Sequence, residues 1–230
     1  MFTYGNLINY FKPRWIVWEN VTGVLSSNAG KDFTKFLSML DEYGYGLAWR
    51  VFDSQFFGSP QCRKRIFVIG YFGDIWRSYS VLFDGGTGKK HNKALRKPEY
   101  KMGAGCNTGK NDVENKRNIV FLLDQGGSKF YIKYNKTTTI LKSDSSHKLI
   151  IFDEKNNILR RLTPLEIERL QGFPDNYTKI PFRKKPADYC PDGVRIMALG
   201  NSMAVPVMRW IGERILLTEK YFNKEFIKWD

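Results

Sequence analysis

The sequence predicts an α/β fold with a doubly wound sheet and a second, smaller β-rich domain. An apolar run at Trp15–Trp18 is typical of a strand that is buried on both faces of a parallel sheet. Apolar residues then recur at helical spacing over residues 31–43, and two further apolar runs, Leu47–Phe52 and Ile66–Phe72, complete a βαββ pattern. Residues 73–157 instead combine Gly, Lys and Asn with short β-prone segments and no helical spacing, which indicates the second domain.

Residues 158–230 return to helical patterns. The stretch Thr163–Glu166 has the form of a capping box with proline at the first helical position, and Gly172 marks the end of that helix. A proline-containing loop follows, and apolar spacing predicts a last helix over about residues 203–221. We expect these helices to complete the α/β domain that residues 1–72 begin.

The chain is strongly basic. Its 230 residues include 37 Lys and Arg against 23 Asp and Glu, which gives a net charge of +14 and a pI of about 9.6. Residues 71–158 hold half of this excess, because 16 Lys and Arg there face 9 Asp and Glu, a net charge of +7. Such an excess is typical of proteins that bind nucleic acid. A hydrophobic content of 42% excludes a disordered basic tail.

Targeting signals and metal motifs are not apparent in the sequence. No apolar run reaches the ~18 residues that a membrane span needs, and the first residues lack the basic start and apolar core of a signal peptide. We therefore expect a cytoplasmic protein without membrane contact. Cys62, Cys106 and Cys190 form no Cys-x-x-Cys pair, so neither a disulfide framework nor a metal site is expected.

Two segments near the N-terminus carry candidate functional residues. Glu19 and Asn20 directly follow the first strand, at the edge where ligands bind in doubly wound sheets, although an acidic residue there is more often part of a turn. Gln61 opens a loop that leads through Arg63 and Arg65 into a strand. The two-residue spacing predicts both guanidiniums on one side of it, where they suit phosphates or base edges, although a solvated charged loop gives the same pattern.

Two further segments lie in the last third of the chain. Residues 160–175 contain the well-capped helix described above. Residues 200–207, Gly-Asn-Ser-Met-Ala-Val-Pro-Val, are expected to place backbone N–H groups and a Ser hydroxyl at a helix start, which suits a carboxylate. Neither property alone identifies a ligand.

In their order along the chain, these segments resemble four motifs of the DNA cytosine-5 methyltransferase family. The matches are Glu-Asn-Val at 19–21, Gln-x-Arg-x-Arg at 61–65, Arg-x-Leu-Thr-Pro-x-Glu followed by Gln-Gly-Phe-Pro-Asp at 160–175, and Gly-Asn-Ser at 200–202. The resemblance spans nearly the whole chain. It implies the C-terminal portion of an S-adenosylmethionine-dependent methyltransferase sheet, of the kind found in restriction-modification systems, with a target-recognition domain at 73–157 and double-stranded DNA as partner.

The resemblance also implies the roles of the residues around the target base. Members of this family flip the cytosine out of the duplex and read its Watson–Crick edge. Glu19 would bind the N3 and N4 edge and stabilise the protonated ring, and Arg65 would reach O2. Asn20, Gln61 and Arg63 would support the same pocket and its contacts with DNA.

Other roles follow from the same resemblance. Asn201 and Ser202 would hold S-adenosylmethionine, and Arg161 would order the recognition domain or touch the DNA backbone. Within that domain, the family often shows a Thr followed by a branched apolar residue, and Thr139 is the best match.

Two family motifs are absent from these 230 residues: the Phe-x-Gly-x-Gly cofactor loop and the Pro-Cys dipeptide, whose thiolate attacks cytosine C6. Cys62 fills a variable position of another motif and is disfavoured as a substitute. We therefore expect either one chain of a split enzyme or a truncated product. The chain alone should be inactive, and a complementary N-terminal chain should cover an apolar sheet edge. The rival interpretation is a non-catalytic DNA-binding remnant.

Overall fold

The computed structural model describes residues 2–83, 119–123, 130–134, 137, 149–153 and 157–225. The chain divides into two compact units. The first unit comprises residues 1–53, 64–94 and 207–230, and the second comprises residues 54–63 and 95–206. The predicted division into 1–72, 73–157 and 158–230 stays a prediction.

Six α-helices and seven strands lie within the described ranges. The helices are α1 Phe2–Phe11, α2 Lys31–Glu42, α3 Ile75–Leu82, α4 Pro164–Gln171, α5 Asp192–Asn201 and α6 Val205–Glu225. The strands are β1 Trp15–Val21, β2 Tyr45–Asp53, β3 Lys64–Phe72, β4 Ile119–Leu123, β5 Phe130–Tyr134, β6 Leu149–Asp153 and β7 Ile158–Arg161. The apolar runs and the helical spacing therefore predicted β1, α2, β2 and β3 to within a few residues.

The sheet of the first unit has the order β1-β3-β2, and both neighbouring pairs are antiparallel. The expectation of parallel neighbours is thus wrong for these strands. β1 and β2 do run in the same direction, joined through α2, but β3 turns back after residues 54–63 and lies between them. Only Ile16 of β1 is fully buried.

A buried apolar core packs against this sheet. Its buried members come from α1, β1, the short 3-10 helix Thr22–Leu25, α2, the first residue of β2 and the inner strand β3, and they are Ile8, Ile16, Val24, Phe33, Phe36, Leu40, Tyr45, Ile66 and Val68. The hydroxyl of Tyr45 donates a hydrogen bond of 2.6 Å to the carbonyl of Pro13 just before β1. The core fixes β1 and β3 side by side, and this pairing positions the candidate site.

The second unit contains an antiparallel sheet of order β5-β4-β6-β7. The capping box at the start of α4 is confirmed: Thr163 accepts from the N–H of Glu166, whose carboxylate accepts from the N–H of Thr163. Gly172 closes the helix in the left-handed conformation, with φ 81°. A small core of Leu162, Ile167, Leu170 and Leu199 joins α4 to α5.

The structure contains two helices that the sequence patterns did not reveal, α3 and α5. The expectation that helical structure stops at residue 73 is wrong for α3, which Asp74 caps by accepting the N–H of Trp76 at 2.8 Å. α3 is only 8 residues long, too short for a clear apolar repeat. In the described part of the chain, no helix is long and apolar enough to cross a membrane.

Candidate functional site

Glu19 and Arg65 form an ion pair across neighbouring strands. In the β1–β3 register Glu19 lies opposite Phe67, so Arg65, two residues from Phe67, is its diagonal neighbour on the same face of the sheet. The Arg65 Nε atom lies 3.2 Å from the Glu19 Oε1 atom. Two residues that are far apart in sequence, both expected to contact the same cytosine, are thereby brought together.

The pair is mostly enclosed but still accessible. The Glu19 side chain is 14% exposed and that of Arg65 is 13% exposed. Burial lowers the pKa of Arg65 from its usual value, and the nearby Glu19 carboxylate opposes this shift. Arg65 also donates from Nη1 to the carbonyl of Lys64 at 2.8 Å, which fixes the orientation of its guanidinium.

Asn20 stabilises the end of the strand that carries Glu19. Its side-chain carbonyl accepts the N–H of Val21 at 2.8 Å. A contact of Asn20 with DNA stays a prediction.

Gln61 lies where the loop after β2 meets residue 137. Its side chain is fully buried, at 0% exposure, and neither of its two amide atoms has a hydrogen-bond partner within the described ranges. The backbone around it is fixed, because the N–H of Cys62 donates to Thr137 at 2.9 Å and the N–H of Thr137 donates to Pro60 at 2.9 Å. A contact of Gln61 with the target base stays a prediction.

Arg63 and Arg65 do not share one side of a strand, which corrects the sequence expectation. β3 begins at Lys64, so Arg63 precedes it. Arg63 is only 4% exposed, and its Nη2 donates to the carbonyls of Gly200 at 3.3 Å and Ser202 at 2.7 Å. In these contacts Arg63 holds the Gly-Asn-Ser turn, whereas Arg65 contacts Glu19.

The Gly-Asn-Ser residues end α5, and α6 begins three residues later at Val205. The N–H and the hydroxyl of Ser202 both donate to the carbonyl of Leu199, at 3.2 and 2.7 Å, as at a helix C-terminus. α6 begins at Val205, within the same segment, so a carboxylate bound at its start stays a prediction.

The turn presents one exposed polar side chain on a fixed backbone. Asn201 is exposed at the end of α5, so its amide is available both to donate and to accept. The backbone behind it is held by Arg63 and by Gln171, whose Nε2 donates to the carbonyl of Leu199 at 2.9 Å. Contacts of Asn201 and Ser202 with S-adenosylmethionine stay predictions.

Arg161 and Thr139 are the two remaining candidates, and only Arg161 lies within the described residues. Arg161 is exposed at the end of β7. Its neighbour Arg160 forms a two-pronged ion pair with Glu166, with bonds of 2.9 and 2.7 Å. Thr139 lies outside the described residues.

A second Glu–Arg pair, missed by the sequence analysis, organises the loop after α4. Glu168 is completely buried and accepts the guanidinium of Arg195 at 3.0 Å, the N–H groups of Asn176 and Thr178 at 2.7 and 2.9 Å, and the Thr178 hydroxyl. Burial, the largest single effect, raises the pKa of Glu168. The bonds from Thr178, Arg195 and Asn176 together hold that pKa below its usual value.

Solved structures with the same architecture are methyltransferases. A DNMT2 variant from Spodoptera frugiperda superposes with a TM-score of 0.60 at 16% identity, covering 94% of this chain and 71% of that one. Dnmt2 of S. pombe superposes at 0.54 and 17% identity, with 91% and 66% covered. The fold is therefore the α/β methyltransferase fold, and the predicted fold class is confirmed.

The family follows from the sequence itself. The profile described as "C-5 cytosine-specific DNA methylase" matches residues 1–101 and 84–217. The chain belongs to the C-5 cytosine-specific DNA methylase family, which confirms the resemblance. This is a family of enzymes, and methyltransferases generally take the methyl group from S-adenosylmethionine.

Curated relatives extend beyond this sequence. Type II methyltransferase M.Sau3AI of Staphylococcus aureus is 24% identical over 310 residues, covering 97% of this chain and 73% of the relative. Several others are matched over only about half their length, such as 54% for M1.ScrFI of Lactococcus lactis subsp. cremoris.

Proposed function

We propose that this chain supplies the target-base pocket of a DNA cytosine-5 methyltransferase, which transfers a methyl group to C5 of a cytosine flipped out of duplex DNA. The observation that carries the proposal is the Glu19–Arg65 pair, with its 3.2 Å separation and its partly accessible side chains. A carboxylate beside a guanidinium presents an acceptor and a fork of donors, which complement the N4, N3 and O2 edge of cytosine.

In this role Glu19 accepts from the N4 amino group and exchanges a proton with N3. Arg65 donates to O2 from its position beside the Glu19 carboxylate. Removing the base from the duplex costs a few kcal/mol, which these contacts help to offset. The ring then accumulates electron density at C5 only after a thiolate adds at C6.

That thiolate comes from the Pro-Cys motif of the family, which is absent from this sequence. We propose that a complementary N-terminal part supplies it together with the Phe-x-Gly-x-Gly loop. S-adenosylmethionine, when bound, supplies the methyl group, and Asn201 with the turn at Ser202 would contact one end of it. Residues 73–157, with Thr139, would read the DNA sequence, and Arg161 would support that domain or touch the backbone.

The test is transfer of labelled methyl groups to duplex DNA. We expect no transfer by the purified chain, and transfer when it is mixed with a separately expressed N-terminal half from a relative. A mixture that forms a complex but transfers nothing would favour a non-catalytic DNA-binding role. Transfer by the chain alone would contradict the need for the N-terminal half, and Cys62→Ser would then test the remaining nucleophile candidate.

A further inference from the structure

The loop between α4 and α5 contains a tight basic hairpin, residues 179–189. Phe182 and Lys185 exchange both backbone hydrogen bonds, at 3.1 and 3.0 Å, so the loop between them has only two residues, Arg183 and Lys184. Both have positive φ, 48° and 64°. This is the conformation of a type I′ turn, in which Asn and Gly are the favoured residues.

The turn therefore carries residues that its backbone disfavours. Non-glycine residues with positive φ are uncommon, and two in succession with long basic side chains are costly. Strain of this kind persists when the surrounding structure imposes it, and it is found often at functional positions.

The tip is charged and exposed. Arg183, Lys184 and Lys185 are all exposed, and none of them forms an ion pair with any residue in the described ranges. The single carboxylate of the hairpin, Asp188, is already paired with Lys179 at 2.5 Å. The Arg183 guanidinium lies 5.2 Å from the centre of the Phe182 ring, which directs it along the turn.

The base of the hairpin is held by the buried Glu168–Arg195 pair. Thr178, just before the hairpin, donates its N–H and hydroxyl to Glu168, and its oxygen accepts from Arg195 Nε at 3.0 Å. At the other end Cys190 contacts the carbonyl of Thr178, with its sulfur at 3.8 Å. Three positive charges are thus displayed on a short, firmly anchored loop rather than on a solvated tail.

We propose that this basic hairpin is a docking surface for the phosphate backbone of duplex DNA. The inference rests on the proposed function for its partner and adds a contact site that none of the four motifs contains. Guanidinium and ammonium groups on an anchored loop bind phosphates without reading base sequence, and each contact releases condensed counterions. The hairpin therefore contributes affinity and register, and its contribution falls with added salt.

The type I′ geometry allows a variant that separates charge from structure. Arg183→Asn with Lys184→Gly removes two charges and installs the residues that this turn favours, so the melting temperature should stay the same or rise. The matched control is Arg209→Ala with Lys220→Ala, which removes one arginine and one lysine from exposed positions of α6. Binding of each full-length chain to a labelled duplex is measured by anisotropy between 50 and 200 mM KCl.

We expect the slope of log affinity against log salt to fall by about 2 in the hairpin variant and to change little in the control. Over that fourfold salt range the wild type should lose roughly tenfold more affinity than the hairpin variant. An unchanged slope, an equal loss in the control, or a loss confined to an RNA duplex of the same sequence would overturn the proposal. Failure of the wild-type chain to bind any duplex DNA would instead contradict the proposed function.

Discussion

The two units each contain a Glu–Arg pair, and the pairs differ in what surrounds them. In the first unit Glu19 and Arg65 lie 3.2 Å apart with 14% and 13% of their side chains exposed. In the second, Glu168 and Arg195 lie 3.0 Å apart with 0% and 9% exposed. The same chemical pair is thus partly accessible in one unit and almost fully enclosed in the other, which suits the proposed base pocket in the first and a structural anchor in the second.

Hydrogen-bond saturation explains the difference. A carboxylate has about four acceptor sites. Glu168 fills them with two backbone N–H groups, one hydroxyl and one guanidinium. It has no capacity left for a ligand, so its role is to fix the loop after α4. Glu19 keeps access to solvent beside a strand edge, as a group that meets a substrate must.

The largest expected effect is on turnover, which should depend on Glu19 of the first pair. In an enzyme reconstituted with an N-terminal half, Glu19→Gln should lower turnover by roughly 10²–10⁴, because it keeps the shape of the side chain and removes its proton transfer. DNA affinity should be largely retained. Rates from single-turnover methyl transfer are the measurement. Turnover equal to wild type would return Glu19 to a structural role.

The free energy of unfolding should depend more on the Glu168–Arg195 pair than on the Glu19–Arg65 pair. Glu168→Gln leaves the Arg195 charge buried without its partner, and we expect a loss of about 3 kcal/mol in the free energy of unfolding. Urea denaturation measures it. The control is Glu166→Gln on the same helix, a more exposed capping residue that should cost about 1 kcal/mol. Equal midpoints for the two variants would show that the buried pair is not an anchor.

Substitutions of the two arginines of the Gln-x-Arg-x-Arg motif should change different kinetic constants. Arg63→Ala removes two hydrogen bonds to the Gly200 and Ser202 carbonyls, so the KM for S-adenosylmethionine should rise up to about tenfold. Arg65→Ala should instead lower kcat. Lysine at position 63 should restore part of the loss. A fall in DNA affinity with an unchanged cofactor KM would favour the DNA contact predicted from sequence.

Low pH should lower the free energy of unfolding through the Glu168–Arg195 pair, by less than the loss expected for Glu168→Gln. The pKa of Glu168 lies below its usual value of about 4.5 in the folded chain. Its contribution to stability is therefore complete above the unfolded pKa and is lost as pH falls through the lowered folded value. Unfolding free energies from pH 6 to pH 3 should drop more steeply for the wild type than for Glu168→Gln. Parallel curves would contradict the lowered pKa.

The sequence predicted local structure better than contacts between distant residues. The spacing of apolar residues located α2, and Thr163–Glu166 located the start of α4. Each of these signals is contained within a short stretch of neighbouring residues. The position of β3 between β1 and β2 left no such local mark. Strand order depends on which edges bury the most apolar surface, and this is decided by the whole core.

In the candidate site, too, contacts between distant residues were predicted less well than local structure. Glu19 and Arg65 were expected to act together only through the family resemblance, and their register across β1 and β3 supplies the physical reason. The role of Arg63 was mistaken because its acceptors, the carbonyls at 200 and 202, are backbone atoms that a residue pattern does not reveal. For the basic hairpin, the signal was present in Phe182–Pro186 as a run of three basic residues.

The most direct measurement is mass spectrometry of nucleosides from DNA treated with this chain and S-adenosylmethionine, with and without an N-terminal half. We expect 5-methyldeoxycytidine only when both parts are present, and its loss when Glu19 is replaced by Gln. Appearance of 5-methyldeoxycytidine from the chain alone, or of a methylated adenine in its place, would contradict the assignment of Glu19 and Arg65 as the cytosine pocket of a two-part enzyme.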